Sequence, residues 1–211
     1  TNSSRQIFSR IPGLNIWESD GGGIQIGLGG RGLNPSRNVN FNTRQNGYDI
    51  SADVLGYPES YYTPPAEALT QIQVVRGAAS LQYGTQFGGL INFKMKKPSL
   101  DKKIELITRQ SVGSFNAISS FNSLSGSLGK LSYYTYYNGK KSDGFRPNAS
   151  YYSHNVFSFL QYQFNLKTSI SLEYTHLSYL AQQAGGLSDT QFNIDYRFSN
   201  RTRNWFDINW N

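Results

Sequence analysis

The stretch IQVVRGAASLQYGTQFGGLINFKMKKP, Ile72–Pro98, decides the fold. It opens with a short apolar, β-branched run, Ile72–Val75, and returns to a second one, Leu90–Lys94. Runs of this length bounded by turn residues read as strands. Between them lies a glycine-rich link from Arg76-Gly77 to Gly88-Gly89, and beyond them Lys94, Lys96 and Lys97 lead to Pro98. The texture of the chain changes at that proline. Upstream, short elements are separated by Gly- and Pro-containing turns; downstream, longer alternating runs are separated by small turn clusters.

The downstream part alternates with period two, the pattern of half-buried strands. In Lys103–Ser111, Ile104 and Leu106 face one way and Glu105 and Arg109 the other, with Ile107 breaking the pattern. In Val156–Phe164, Leu160, Tyr162 and Phe164 oppose Gln161 and Gln163. In Ser169–Leu180, Ile170, Leu172 and Tyr174 oppose Ser169, Ser171, Glu173 and Thr175. Asn116–Ser125 alternates weakly, with serine on both faces, and Leu131–Asn138 is aromatic on both faces. A sixth strand starts at Trp205–Asn211. After the short link Gly113–Phe115, tight turns (Gly126–Lys130, Asn165–Lys167) alternate with longer loops (Lys141–Tyr152, Ala181–Asn204). Outer-membrane barrels show this asymmetry of short periplasmic turns and long outer loops, whereas a soluble sandwich has shorter strands and no such parity.

The upstream part reads as a small mixed α/β domain. Ser3–Arg10 suits a short helix, capped by Asn2 or Ser3 and stopped by Ile11-Pro12-Gly13. Leu14–Trp17 and Gly23–Leu28 suit brief strands. Thr63-Pro64-Pro65 reads as an N-cap with prolines in the first turn, which predicts a helix over Ala66–Leu69. Asn34–Tyr62 reads as a long loop.

Composition narrows the class. Aromatic residues make up 15% of the 211 and charged residues 16%, against roughly 25% charged in soluble domains. With no cysteine, a disulfide scaffold, a thiolate zinc site and a cysteine nucleophile are all excluded. The net charge of +7 admits nucleic acid, an anionic membrane surface or an anionic small ligand. The basic residues form neither a helical stripe nor an RNP-type aromatic motif, so nucleic acid is not expected. No apolar run approaches the roughly 20 residues of a transmembrane helix, and Thr1–Arg10 lacks the pattern of a signal peptide. A membrane protein with this sequence would have to be a β-barrel.

Ile72–Pro98 closely resembles the end of the plug in TonB-dependent receptors, where a strand leads into V-x-R-G, a Y-G segment, G-G-x-I-N and a K-K-P exit. Arg10-Ile11-Pro12-Gly13-Leu14 resembles that family's early P-G-V element, and Gly30-Arg31-Gly32-Leu33 its R-G strand. Asn46-Gly47 stands where the family has Asp-Gly, which keeps the turn chemistry. The resemblance covers residues 1–98 and implies a mainly β fold: a small α/β plug domain over 1–98, then the first antiparallel strands of a transmembrane barrel over 99–211. Such barrels have about 22 strands, so the chain is expected to be a piece of a longer protein, lacking the segment that engages TonB. Gly29–Pro35 and Val74–Gly89 are most similar to the ferric dicitrate receptors. The implied function is TonB-dependent import of an iron(III) chelate across the outer membrane of a Gram-negative bacterium, without enzyme chemistry or a cofactor of its own. Importers of glycans, cobalamin or haem are the near rivals; a non-transporting adhesin or glycan-binding module would leave the R-G…Y-G…G-G-x-I-N series unexplained.

The resemblance also suggests roles. Arg31 and Arg76, each in an R-G step, would anchor the plug by pairing with barrel-wall glutamates, since a buried guanidinium needs a partner. Gln86, in Y-G-x-Q, would face the ligand pocket or hydrogen-bond its own turn. Arg37, Arg44 and Gln45 fall in an apical loop, where an arginine fork could take a carboxylate of a ferric citrate complex or stay solvated. Tyr57, Tyr61, Tyr62 and Tyr83 are candidates to line the pocket. Tyr133, Tyr134, Tyr136, Tyr137, Tyr162 and Tyr174 suit an interfacial girdle or wall packing. Arg197, Arg201 and Arg203 would attract anions, bridge lipopolysaccharide phosphates in the outer leaflet, or simply be solvated.

Other motifs lead nowhere. Gly27–Gly32 spells G-x-G-x-x-G with Asp49 and Asp53 beyond it, but Leu33-Asn34-Pro35 leaves no helix N-terminus for a pyrophosphate. His154 and His176 have no acidic or cysteine companion at ligand spacing, so no metal site is indicated. Glu67 and Glu105 belong to no paired acid–base constellation.

Overall fold

The computed structural model describes residues 5–9, 11–18, 21–24, 26–30, 32–51, 60–76, 83, 88–183, 188–194 and 204–210. They fall into two compact units, Thr1–Ser19 with Gly23–Lys96, and Asp20–Gly22 with Lys97–Asn211.

The first unit opens with one helical turn, α1 (Arg5–Phe8), followed by an antiparallel pair, β1 (Leu14–Glu18) and β2 (Ile26–Gly30). Its main sheet contains β3 (Phe41–Gln45), β4 (Tyr48–Asp49), β5 (Leu69–Val75) and β6 (Gly89–Met95), in the order β4-β3-β6-β5. β3 runs parallel to β6, and the other pairs are antiparallel. Phe8, Ile26, Leu28, Phe41, Ile91 and Phe93 form the core, with Phe8 edge-on to Phe93 at 6.2 Å.

Two local readings change here. The helix expected over Ala66–Leu69 is a single 3₁₀ turn, Ala66–Ala68, and Leu69 already belongs to β5. Pro65 supplies a compatible φ of −63° but an extended ψ of 138°, and no side chain caps the turn. The segment read as a long loop, Asn34–Tyr62, contains a 3₁₀ turn at Ser36–Asn38 and the β3–β4 hairpin. The polar sequence of β3 has no apolar alternation to announce it; the ladder to β6 recruits it. Asn46 and Gly47 turn the hairpin at φ 50° and 94°, which asparagine and glycine tolerate best. The strand expected over Gly23–Leu28 starts only at Ile26.

The second unit is an antiparallel meander among the described residues: β7 (Glu105–Gly113), β8 (Ala117–Leu128), β9 (Leu131–Ser142), β10 (Tyr151–Asn165), β11 (Thr168–Gln183) and β12 (Asn204–Trp210), each paired with the next. Lys102 and Glu105 form an ion pair at the start of β7, and the hydrogen bond and charge of Glu105 hold the lysine's pKa above its ordinary value. Leu128 pairs with Leu131 and Asn165 with Thr168, so both turns at one end hold two residues. At the other end the links are residues 114–116, residues 143–150, and the stretch between β11 and β12, which contains α2 (Asp189–Ile194). The strands extend further into the long connections than alternation suggests. Lys141–Ser142 and Ala181–Gln183 carry no apolar face, yet they continue the ladders to their neighbours.

Strand register sorts the side chains of β7–β11 onto two faces. One holds Phe121, Tyr134, Tyr136 and Phe157, all buried, together with Ser123, Ser125, Asn138, Ser153 and Asn155. Tyr136 stacks on Phe157 at 5.6 Å and 18°, and its hydroxyl donates to Asn155 Oδ1 at 3.3 Å. The other face exposes Leu106, Leu124, Leu131, Leu160, Leu172 and Tyr174. The expected girdle tyrosines therefore divide: Tyr133, Tyr137, Tyr162 and Tyr174 lie on the open face, and Tyr134 and Tyr136 on the buried one. Truncating Phe157, 0% exposed, to Ala is expected to destabilise the protein by about 3–5 kcal/mol in denaturant unfolding. Leu166→Ala, in a fully exposed turn, should stay within about 0.5 kcal/mol.

Candidate functional site

The first unit's sheet has one polar face, built by register. Arg44 of β3 lies opposite Asp49 on β4 and Asn92 on β6, and Asn92 lies opposite Gln73 on β5. Asn42, two residues before Arg44, shares that face. The guanidinium is fixed from three sides. Its Nε donates to Asn42 Oδ1 at 2.7 Å, Nη1 to the Gly47 carbonyl at 2.6 Å, and Nη2 to the Tyr83 carbonyl at 3.3 Å. Asn42 in turn donates to Asp49 Oδ2 at 3.0 Å. Asn92 Oδ1 accepts from the Gly47 N–H at 3.0 Å, and its amide donates to Gln73 Oε1 at 2.9 Å. The Asn46 side chain closes the circuit by accepting from the Met95 N–H at 2.9 Å.

This network ties the Asn46-Gly47 turn to the sheet and draws Tyr83 to it. The Arg44 Cζ lies 4.9 Å from the centre of the Tyr83 ring, a cation–π contact that holds two residues 39 apart in sequence. Tyr83 remains 40% exposed. Three of the five guanidinium donors are engaged, and the other two have no partner among the described residues. The chemistry available is a half-open arginine fork beside an exposed phenol ring, suited to a carboxylate on a partly aromatic or chelated ligand.

The other candidates are placed differently. Gln45 lies on the opposite face of β3 and is 3% exposed, inside the core rather than beside Arg44. Tyr62, also 3% exposed, is a core residue, and Tyr61 is half-buried. Arg76 is exposed and donates from Nη2 to the Pro12 carbonyl at 2.6 Å, tying the end of β5 to the Ile11-Pro12-Gly13 turn. Arg31, Tyr57, Gln86, Arg197, Arg201 and Arg203 lie outside the described residues, as does the side chain of Arg37. Asn42 and Asn92 escaped the sequence reading as site residues, and Asp49 entered it only beside the dismissed dinucleotide motif. Only Asn92 carried a signal, as the last residue of G-G-x-I-N. His154 accepts or donates at Nδ1 to the Tyr137 hydroxyl at 2.7 Å.

Removing the guanidinium should free Tyr83. Losing a cation–π contact and a hydrogen bond weakens the local restraint by about 1–2 kcal/mol, so Arg44→Ala should speed chymotryptic cleavage after Tyr83 roughly 5–30-fold. Arg44→Lys, which keeps charge but not the fork, should fall between the two.

Residues 1–90 match the family described as TonB-dependent Receptor Plug Domain. No curated protein matches the chain. Among solved structures, the unliganded ferric citrate transporter FecA superposes with a TM-score of 0.74 at 22% identity, over 92% of this chain and 31% of that one. The copper transporter OprC gives 0.67 at 18% identity, over 88% and 30%. The pyoverdine outer membrane receptor FpvA from Pseudomonas aeruginosa gives 0.66 at 19% identity, over 85% and 25%. The chain thus spans less than a third of the length of these receptors. With the plug-domain match confined to residues 1–90, the chain has the fold of such a plug continued by the first strands of a barrel.

Proposed function

We propose that this chain belongs to an outer-membrane receptor that captures an anionic ferric chelate, of the ferric citrate kind, and imports it with energy relayed by TonB. The observation that carries the reading is the Arg44 fork beside the exposed ring of Tyr83, with two donors unengaged among the described residues. Arginine matches carboxylate oxygens in pairs, and a ferric citrate complex presents several. Three further features support it: the plug-domain match, the likeness to the ferric citrate transporter FecA and the pyoverdine receptor FpvA, and the net charge of +7. A positive field steers an anionic chelate inward.

In this reading Arg37, Arg44, Tyr57, Tyr83 and Gln86 contribute to the site. Gln45 is left out because its side chain is buried on the far face of β3. Arg31 and Arg76 remain plug-anchoring residues. Capture followed by movement of the plug requires no bond chemistry, and the iron is cargo. TonB, the outer-leaflet lipid and lipopolysaccharide are the remaining partners.

The full-length receptor should bind ferric dicitrate in preference to iron-free citrate and to a neutral ferric hydroxamate, and the affinity should fall as salt rises. Arg44→Ala should weaken ferric dicitrate binding by about tenfold. Equal affinity for the ferric and iron-free forms in a calorimetric titration would remove the ferric citrate assignment.

A further inference from the structure

We propose that Asn42 is a positioning residue that keeps the Arg44 fork open to ligand by standing between it and Asp49. The inference deepens the reading of that fork as the seat of an anionic ligand, and rests on it for the binding outcomes alone.

Register sets up a competition at this point of the sheet. Arg44 of β3 lies directly opposite Asp49 of β4. Opposite charges at directly paired positions ordinarily join across the ladder, their Cβ atoms being roughly 5 Å apart. By the same register, the face they share carries Asn42 of β3, Leu90, Asn92 and Lys94 of β6, and Gln71, Gln73 and Val75 of β5. Asp49 is the one acid among these described strand residues. It is therefore the one side chain of that face able to compete with a ligand carboxylate for the guanidinium.

The pairing is not made. Among the described residues the donors of Arg44 go to Asn42 Oδ1, the Gly47 carbonyl and the Tyr83 carbonyl. The Asp49 carboxylate is turned the other way. Its Oδ1 accepts from the Ser51 N–H at 2.8 Å and the Ser51 hydroxyl at 2.5 Å, and its Oδ2 accepts from Asn42 Nδ2 at 3.0 Å. One amide thus joins the two charges, accepting from Arg44 Nε at 2.7 Å and donating to Asp49.

The residue type matters. An amide accepts through one atom and donates through another, so it can span two charges of opposite sign; a carboxylate only accepts and an ammonium only donates. Asn42 is 5% exposed, which leaves little room for water to take its place. Engaging Nε with a neutral partner also leaves the guanidinium its charge for an incoming anion, with the Tyr83 ring 4.9 Å away. Without the amide, Nε loses its acceptor and Asp49 Oδ2 its donor. The nearest partner for each is then the other, and a direct ion pair would draw the fork off Tyr83 and onto Asp49.

The test compares four forms of the full-length protein: wild type, Asn42→Ala, Asp49→Asn and the double variant. Each is titrated calorimetrically with ferric dicitrate and, without ligand, digested with chymotrypsin to follow cleavage after Tyr83. Asn42→Ala should weaken ferric dicitrate binding about three- to fivefold and speed the cleavage by a similar factor. Adding Asp49→Asn should return both close to wild type, whereas Asp49→Asn alone should move each by less than about twofold. An Asn42 that merely braced the strand would not be rescued in this way. A double variant as impaired as Asn42→Ala, or an Asp49→Asn effect of equal size with and without Asn42, overturns the proposal. Should Asn42→Ala fail to assemble, Asp49→Glu decides. Its carboxylate, one methylene longer, should reach past the amide and speed cleavage after Tyr83, and an unchanged rate overturns the proposal. If wild type does not bind ferric dicitrate, the functional reading fails, and the cleavage rates alone decide the role of Asn42.

Discussion

The parallel ladder between β3 and β6, with Phe41 opposite Gly89 and Gln45 opposite Phe93, holds the first unit together. It joins segments nearly fifty residues apart and places Arg44 opposite Asn92, so the polar network exists only if this register does. Its start depends on glycine. Gly89 has φ +120°, and an added Cβ would collide with the Val75 carbonyl oxygen. Beside it the Gly88 N–H donates to the Asn40 carbonyl at 2.7 Å, and a Cβ at Gly88 would strike that same segment. The Gly-Gly step is therefore a requirement of close backbone approach. It lets β5, β6 and β3 meet at one point.

The second unit depends on a different constraint, the sorting of side chains by a continuous antiparallel meander. Each strand pairs with the next, and every residue on one face is fixed by register to the same face of its neighbours. One face gathers buried aromatic residues with serine and asparagine; the other is exposed and largely apolar, with its polar residues paired sideways. A soluble sheet usually shows the reverse, an apolar covered face and a polar open one. The inversion matches the wall of a barrel with an apolar band outward and a polar interior.

What could be read in the sequence followed from how strongly each segment announces its own periodicity. β10 and β11 declare themselves through Leu160/Tyr162/Phe164 and Ile170/Leu172/Tyr174, and their two-residue turn was evident at Asn165–Lys167. β3 did not, because Asn42, Thr43, Arg44 and Gln45 are polar and the strand is made by its partner. The same cause hid the inward turn of Gln45: facing is decided by the ladder, and a polar residue on the core side looks like any loop residue. Arg44 was legible as a candidate but its clamp was not, since Tyr83 reaches it from 39 residues away. The helix over Ala66–Leu69 failed where Pro65 takes an extended ψ and Leu69 is claimed by β6 through its pairing with Met95.

The proposal that the exposed face meets lipid is tested most directly by site-directed spin labelling. Single cysteines can be placed one at a time at positions 169–175 of β11, where the chain has none, and spin-labelled in the full-length, bilayer-embedded protein freed of any other cysteine. Oxygen collisions should peak at Ile170, Leu172 and Tyr174 and drop at Ser171, Glu173 and Thr175, a period of two. Equal accessibility at neighbouring positions, or high accessibility to a water-soluble quencher at Leu172, would contradict a barrel wall.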